Sequence, residues 1–86
     1  MQELSMIESL RILLKNVCER ENAKKVISIE MTVHPYSCLD EDNLNFMYLS
    51  ILGDDPILKD AKIKIKRSEK VQQRQFIVNN IEIEVD

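Results

Sequence analysis

The chain has 86 residues, 12 Lys plus Arg against 15 Asp plus Glu, a net charge of -3, two cysteines, one histidine, one glycine and no tryptophan. A chain of this length hides only about 60–65% of its unfolded surface on folding, so one domain over residues 1–86 with one modest core is expected, with little room for a deep catalytic cleft. The acidic balance argues against nucleic-acid and anionic-membrane partners, whose footprint is basic, and one glycine excludes glycine-rich phosphate loops. Cys18 and Cys38, without a CxxC pair or a basic leader, read as reduced thiols of a cytoplasmic protein. No apolar run approaches the roughly 20 residues that span a bilayer.

Ser5-Met6-Ile7-Glu8 has the pattern of a capping box, which predicts a helix from Met6. Met6, Ile7, Leu10, Leu13, Leu14 and Val17 then give one wide apolar stripe, and Asn22 is a candidate C-terminal stop. From Val26 to Val33 the period changes to two, with Ile27, Ile29, Met31 and Val33 on the buried face of a strand. His34-Pro35 ends it, because proline cannot donate to a ladder. Asp40 reads as an N-cap for a second helix with Leu44, Met47, Tyr48 and Ile51 inward. Gly53, expected in the left-handed conformation, and Asp54-Asp55-Pro56 close it.

Alternation returns in residues 61–67 and again at Ile81, Ile83 and Val85. These two segments are expected to be antiparallel neighbours, with lysines 62, 64 and 66 opposite glutamates 82 and 84. Between them, residues 71–78 offer a further strand, with Asn79-Asn80 as a tight turn. The expected architecture is α+β: a two-layer sandwich, with two helices on one face of a small mixed sheet of three or four strands. Its order is α-β-α-β-(β)-β, with a parallel crossover through the second helix.

The start Met1-Gln2-Glu3-Leu4-Ser5 resembles the Met-His-Glu-Leu-Ser opening of the HypA-type nickel-insertion chaperones of hydrogenase and urease. Matches in register follow at Ala23-Lys24-Lys25-Val26, Ser37-Cys38-Leu39-Asp40, Leu44-Asn45-Phe46, Ala61-Lys62-Ile63-Lys64-Ile65 and Ile81-Glu82-Ile83-Glu84. The resemblance covers nearly the whole chain. It implies a non-enzymatic adaptor or metallochaperone in nickel delivery. Its implied partners are the nickel-handling maturation GTPase and the hydrogenase large subunit. The implied nickel donors are Met1 (its amine and nearby backbone amides), the residue at position 2, and Glu3.

Two departures bear on that expectation. Gln2 stands where the family has histidine, and a neutral carboxamide is a poor substitute for imidazole at nickel(II), so nickel affinity is expected to be weakened or lost. The family also carries paired CxxC motifs between its last two strands. Here that stretch reads Glu69-Lys70-Val71-Gln72-Gln73-Arg74-Gln75, so no structural zinc is expected. The alternative is an interaction or regulatory module that keeps only the sandwich and pairs through an open strand edge or helix face, a homodimer being one such form.

Other candidates carry less. His34 and Cys38 could act as a base and nucleophile or bind a metal, yet no orienting acid is fixed nearby in sequence, and a loop histidine is more often solvated. Cys18 falls on the helix stripe as a packed thiol. Lys62, Lys64, Lys66 and Arg67 form a basic ridge that reads as a solvated sheet face, because the exposed aromatics of an RNA-binding sheet and a GxxG loop are both missing.

Overall fold

The computed structural model describes residues 2–86, with side chains from Glu3 onward. The elements run α1 (Gln2–Glu21), β1 (Lys25–Val33), α2 (Glu41–Leu52), β2 (Lys62–Arg67) and β3 (Phe76–Glu84). The sheet order is β2-β1-β3: β1 pairs parallel with β2 and antiparallel with β3. Ile29, Met31 and Val33 of β1 and Ile63 of β2 join Met6, Ile7, Leu10 and Leu14 of α1 and Leu44, Tyr48 and Leu52 of α2 in one core. Both helices therefore lie on the same face of a mixed three-stranded sheet, the α+β sandwich expected from the alternation of periods.

Local signals that rest on specific chemistry hold. Asp40 is extended and accepts from the Asn43 amide at 2.9 Å, which satisfies an orphan donor at the start of α2. Asn22 takes φ 54°, and the Ala23 amide reaches back to the Cys18 carbonyl at 2.9 Å, a Schellman-type end to α1.

Several expectations are corrected. Helix α1 begins at Gln2, not Met6, because Gln2, Glu3 and Leu4 are good helix formers and Ser5 is one turn inside. Leu13 is 37% exposed because α1 meets no covering element on that side. Ile27 points to solvent while Val26 is buried: one bulge lies between Val26 and Ser28 of β1, and a compensating one at Asn79 of β3 restores the register. Gly53 is right-handed, at φ -65° and ψ -14°; a Cβ there would collide with the Leu49 carbonyl oxygen, so glycine is needed for space.

The largest correction concerns β2 and β3. They are not neighbours, since β1 separates them, so the 68–75 connection crosses the end of β1 instead of closing a hairpin. The expected lysine-glutamate ladder does not form, and Lys66 pairs at 3.3 Å with Glu30 of β1. Asn79 and Asn80 lie inside β3, and Val71 is buried in the connection before it. Val85 follows β3 and is exposed.

Candidate functional site

Of the three implied nickel donors, Met1 and the Gln2 side chain lie outside the described residues. Glu3 is half-buried in the first turn of α1, where its carboxylate faces the positive end of the helix dipole. Among the described residues no group of three or more His, Cys, Asp or Glu side chains could hold a metal ion.

The thiols do not fit a tetrathiolate zinc site, which needs four. Cys18 is buried on α1, and burial, reinforced by the Asp55 carboxylate and opposed by Lys15, pushes its thiol above the ordinary range. It is a protonated core group. Cys38 is exposed in the loop after β1, and no disulfide joins the two.

That loop is held by Arg67, the last member of the basic ridge 62–67. The parallel register sets Arg67 at the end of β2 beside Val33, next to where the loop leaves β1. Its guanidinium donates to the carbonyls of Leu39 at 2.6 Å, Ser37 at 3.0 Å and His34 at 3.1 Å. Five donors in a planar fork make arginine suited to gathering converging carbonyls. His34 Nδ1 accepts from the Tyr36 amide at 3.1 Å, and the two rings pack tilted with centroids 5.4 Å apart. The histidine is thus engaged in shaping its own turn. The signal for Arg67 was present in the expected parallel crossover, which sets the end of β2 beside the end of β1.

Asp55 performs a similar joining role. Its Oδ1 accepts from the amides of Ile57 at 2.9 Å and Leu58 at 3.2 Å, and its Oδ2 meets Lys15 of α1 at 2.5 Å. Burial alone would raise this carboxyl, but Lys15 and the two amides outweigh it and hold the group below the usual carboxylate range. Tyr48 donates its hydroxyl to the Leu58 carbonyl at 2.6 Å, and burial pushes that phenol far above its ordinary value.

The two outer edges of the sheet differ. On β2, the Asn45 carboxamide accepts from the Ile63 amide at 2.8 Å and donates to the Ile63 carbonyl at 3.0 Å, and Glu41 accepts from the Ile65 amide at 2.8 Å. Side chains of α2 thus occupy that edge. On the other side, α1 and β3 stand apart and leave two grooves. One, of about 290 Å³, is lined by Ser5, Met6, Ser9, Arg74 and Phe76, and the other, of about 310 Å³, by Leu13, Val17, Arg20 and residues 78–81.

The whole backbone resembles a solved structure, the Ni metallochaperone HypA from Helicobacter pylori in solution. The TM-score is 0.80, the identity 15%, and the match covers 100% of each chain. No protein-family model matches this chain, and no curated protein matches it in sequence. At that identity the likeness shows the fold. Within the fold, Leu44-Asn45-Phe46 divides its roles: Leu44 is core, Asn45 seals the β2 edge, and Phe46 is exposed.

Proposed function

We propose that this chain is a HypA-like accessory protein, a non-catalytic adaptor in the delivery of nickel for hydrogenase maturation. One observation carries the reading: the full-length match of fold to the Ni metallochaperone HypA. The Met1-Gln2-Glu3-Leu4-Ser5 start supports it.

Nickel is cargo in this reading. The donors offered at the N-terminus are the Met1 amine, backbone amides and the Glu3 carboxylate, with Gln2 in the place of an imidazole. Strong nitrogen donors set affinity for nickel(II), so the chain holds nickel weakly and contributes chiefly by binding proteins. Its partners are the nickel-handling maturation GTPase and the hydrogenase large subunit. No helix among the described residues is long and apolar enough to cross a membrane.

The test is calorimetry on the untagged protein and its Gln2→His variant, titrated with nickel(II) and separately with the maturation GTPase. The expected result is weak nickel binding by the wild type, a gain of about tenfold or more for Gln2→His, and equal affinity of both for the GTPase. Failure of both proteins to bind the GTPase and the hydrogenase large subunit would overturn the proposal. It would leave the second reading, a module that retains the sandwich without nickel handling, which the glutamine at position 2 favours.

A further inference from the structure

The two grooves between α1 and β3 share one composition. Met6 and Phe76 give the first its apolar wall, and Leu13, Val17, Val78 and Ile81 give the second its own. Each groove is lined by a single charged residue, Arg74 in the first and Arg20 in the second, and neither is lined by an acid. In a chain of net charge -3 this is a local reversal of sign.

Neither arginine is committed within the fold. Among the described residues Arg74 has no ion-pair partner, and Arg20 meets only its neighbour Glu21, at 3.4 Å with both side chains more than half exposed. Arg11 and Lys15 of the same helix are tied, to Glu8 at 2.6 Å and to Asp55 at 2.5 Å. The apolar walls are equally unfinished, since Phe76, Val78 and Ile81 are only partly buried and Leu13 is 37% exposed.

These features select an occupant. A basic segment would set like charges together, and a purely apolar one would take the guanidinium groups out of water with nothing to pair them. Apolar side chains flanked by carboxylates satisfy both requirements. Length follows from the helix: Arg74 lies beside Ser5, near the start of α1, and Arg20 lies in the last turn. Between Ser5 and Arg20 an α-helix rises about 22 Å, which an extended segment of about seven residues spans. Such a segment turns alternate side chains the same way, so one face supplies an anchor to each groove.

We infer that the α1–β3 junction is a docking surface for an extended acidic-apolar segment of another protein. Apolar side chains on one face of that segment enter the two grooves, and carboxylates at its ends meet Arg74 and Arg20. The hydroxyls of Ser5 and Ser9 line the first groove and offer further donors to the carboxylate there. The surface uses none of the implied nickel donors, so it goes beyond the nickel-delivery reading and does not depend on it.

The test is fluorescence anisotropy of a labelled, capped peptide in which leucines alternate with serines between paired aspartates at both ends, titrated with the full chain. Saturable binding is expected at or below about 1 mM. Lysines in place of the peptide's aspartates, or serines in place of its leucines, should each weaken binding about tenfold or more. Arg74→Glu combined with Arg20→Glu should do the same while leaving circular dichroism unchanged, because both side chains are exposed. Lys62→Glu combined with Lys64→Glu makes the same change in net charge on β2 and should leave affinity within about twofold. Absence of saturable binding overturns the proposal. So does a β2 pair that matters as much as the arginines, which would show general attraction of an acid to a basic ridge, or a serine-substituted peptide that binds as well. A dimer of the chain, seen by sedimentation, that the peptide fails to enter would assign the grooves to a second copy and overturn it too.

Discussion

The two edges of this sheet are built from similar alternating strands and are treated in opposite ways. On the β2 side, α2 lays Asn45 and Glu41 along the edge amides, Arg67 draws the 34–39 loop over the strand end, and Ile63 is fully buried. On the β3 side, α1 stands off, and every core-facing residue of the strand is only half-covered. An unpaired row of backbone groups is open to another chain, and side chains of α2 close that row on β2 while none does so on β3 among the described residues.

Core truncation should break that comparison most visibly. Ile63→Ala on the sealed side should cost about 3 kcal/mol of unfolding free energy, whereas Ile81→Ala on the open side should cost about 1 kcal/mol, because a half-buried site loses less contact and leaves a smaller cavity. Urea denaturation of dilute monomer checks both. Equal losses would mean that β3 is as well covered as β2.

Asp55→Ala, which unties α1 from the turn leading to β2, should cost about 2 kcal/mol at neutral pH, since a carboxylate carrying two amide bonds and a lysine is lost. Because the folded carboxyl is held below its ordinary value, the stabilisation is present above the unfolded pKa of about 3.9 and disappears as pH falls through the lower folded value. Denaturation midpoints between neutral and strongly acidic pH should therefore fall more steeply for the wild type than for Asp55→Asn. Parallel profiles would contradict the assignment.

Asn45→Ala should cost about 1–2 kcal/mol and uncover the Ile63 amide and carbonyl, opening a strand edge whose association is visible by light scattering. Smallest, Arg67→Lys should cost about 1 kcal/mol, since a point charge replaces a fork that reaches several carbonyls. Its readout is faster amide exchange in residues 37–39 with the rest of the chain unchanged.

How much of this was legible in the sequence depended on whether the signal was local. The Asp40 cap, the Asn22 stop, the parallel crossover and the two-layer arrangement follow from side-chain chemistry and hydrophobic period over a few residues. The place of β3 does not. Lysines on one strand and glutamates on another suggested adjacency, yet burial of Val26, Ile29, Met31 and Val33 of β1 at the centre of the sheet won over surface charge pairs, which contribute little. The bulges at Ile27 and Asn79 each shift the alternation by one residue, and neither contains glycine to mark it. At the candidate site, the N-terminal resemblance and the substitution at Gln2 were readable directly. The expected parallel crossover already sets Arg67 beside the end of β1, whereas Asn45 and Glu41 act on backbone groups of β2 that only the fold brings to them.

The asymmetry of the two edges is tested most directly by residue-resolved amide hydrogen exchange in dilute solution. The Ile63 and Ile65 amides, bonded to Asn45 and Glu41, should be protected. The β3 amides on the side away from β1 should exchange rapidly. Equal exchange at the two edges, whether both fast or both slow, would contradict the account.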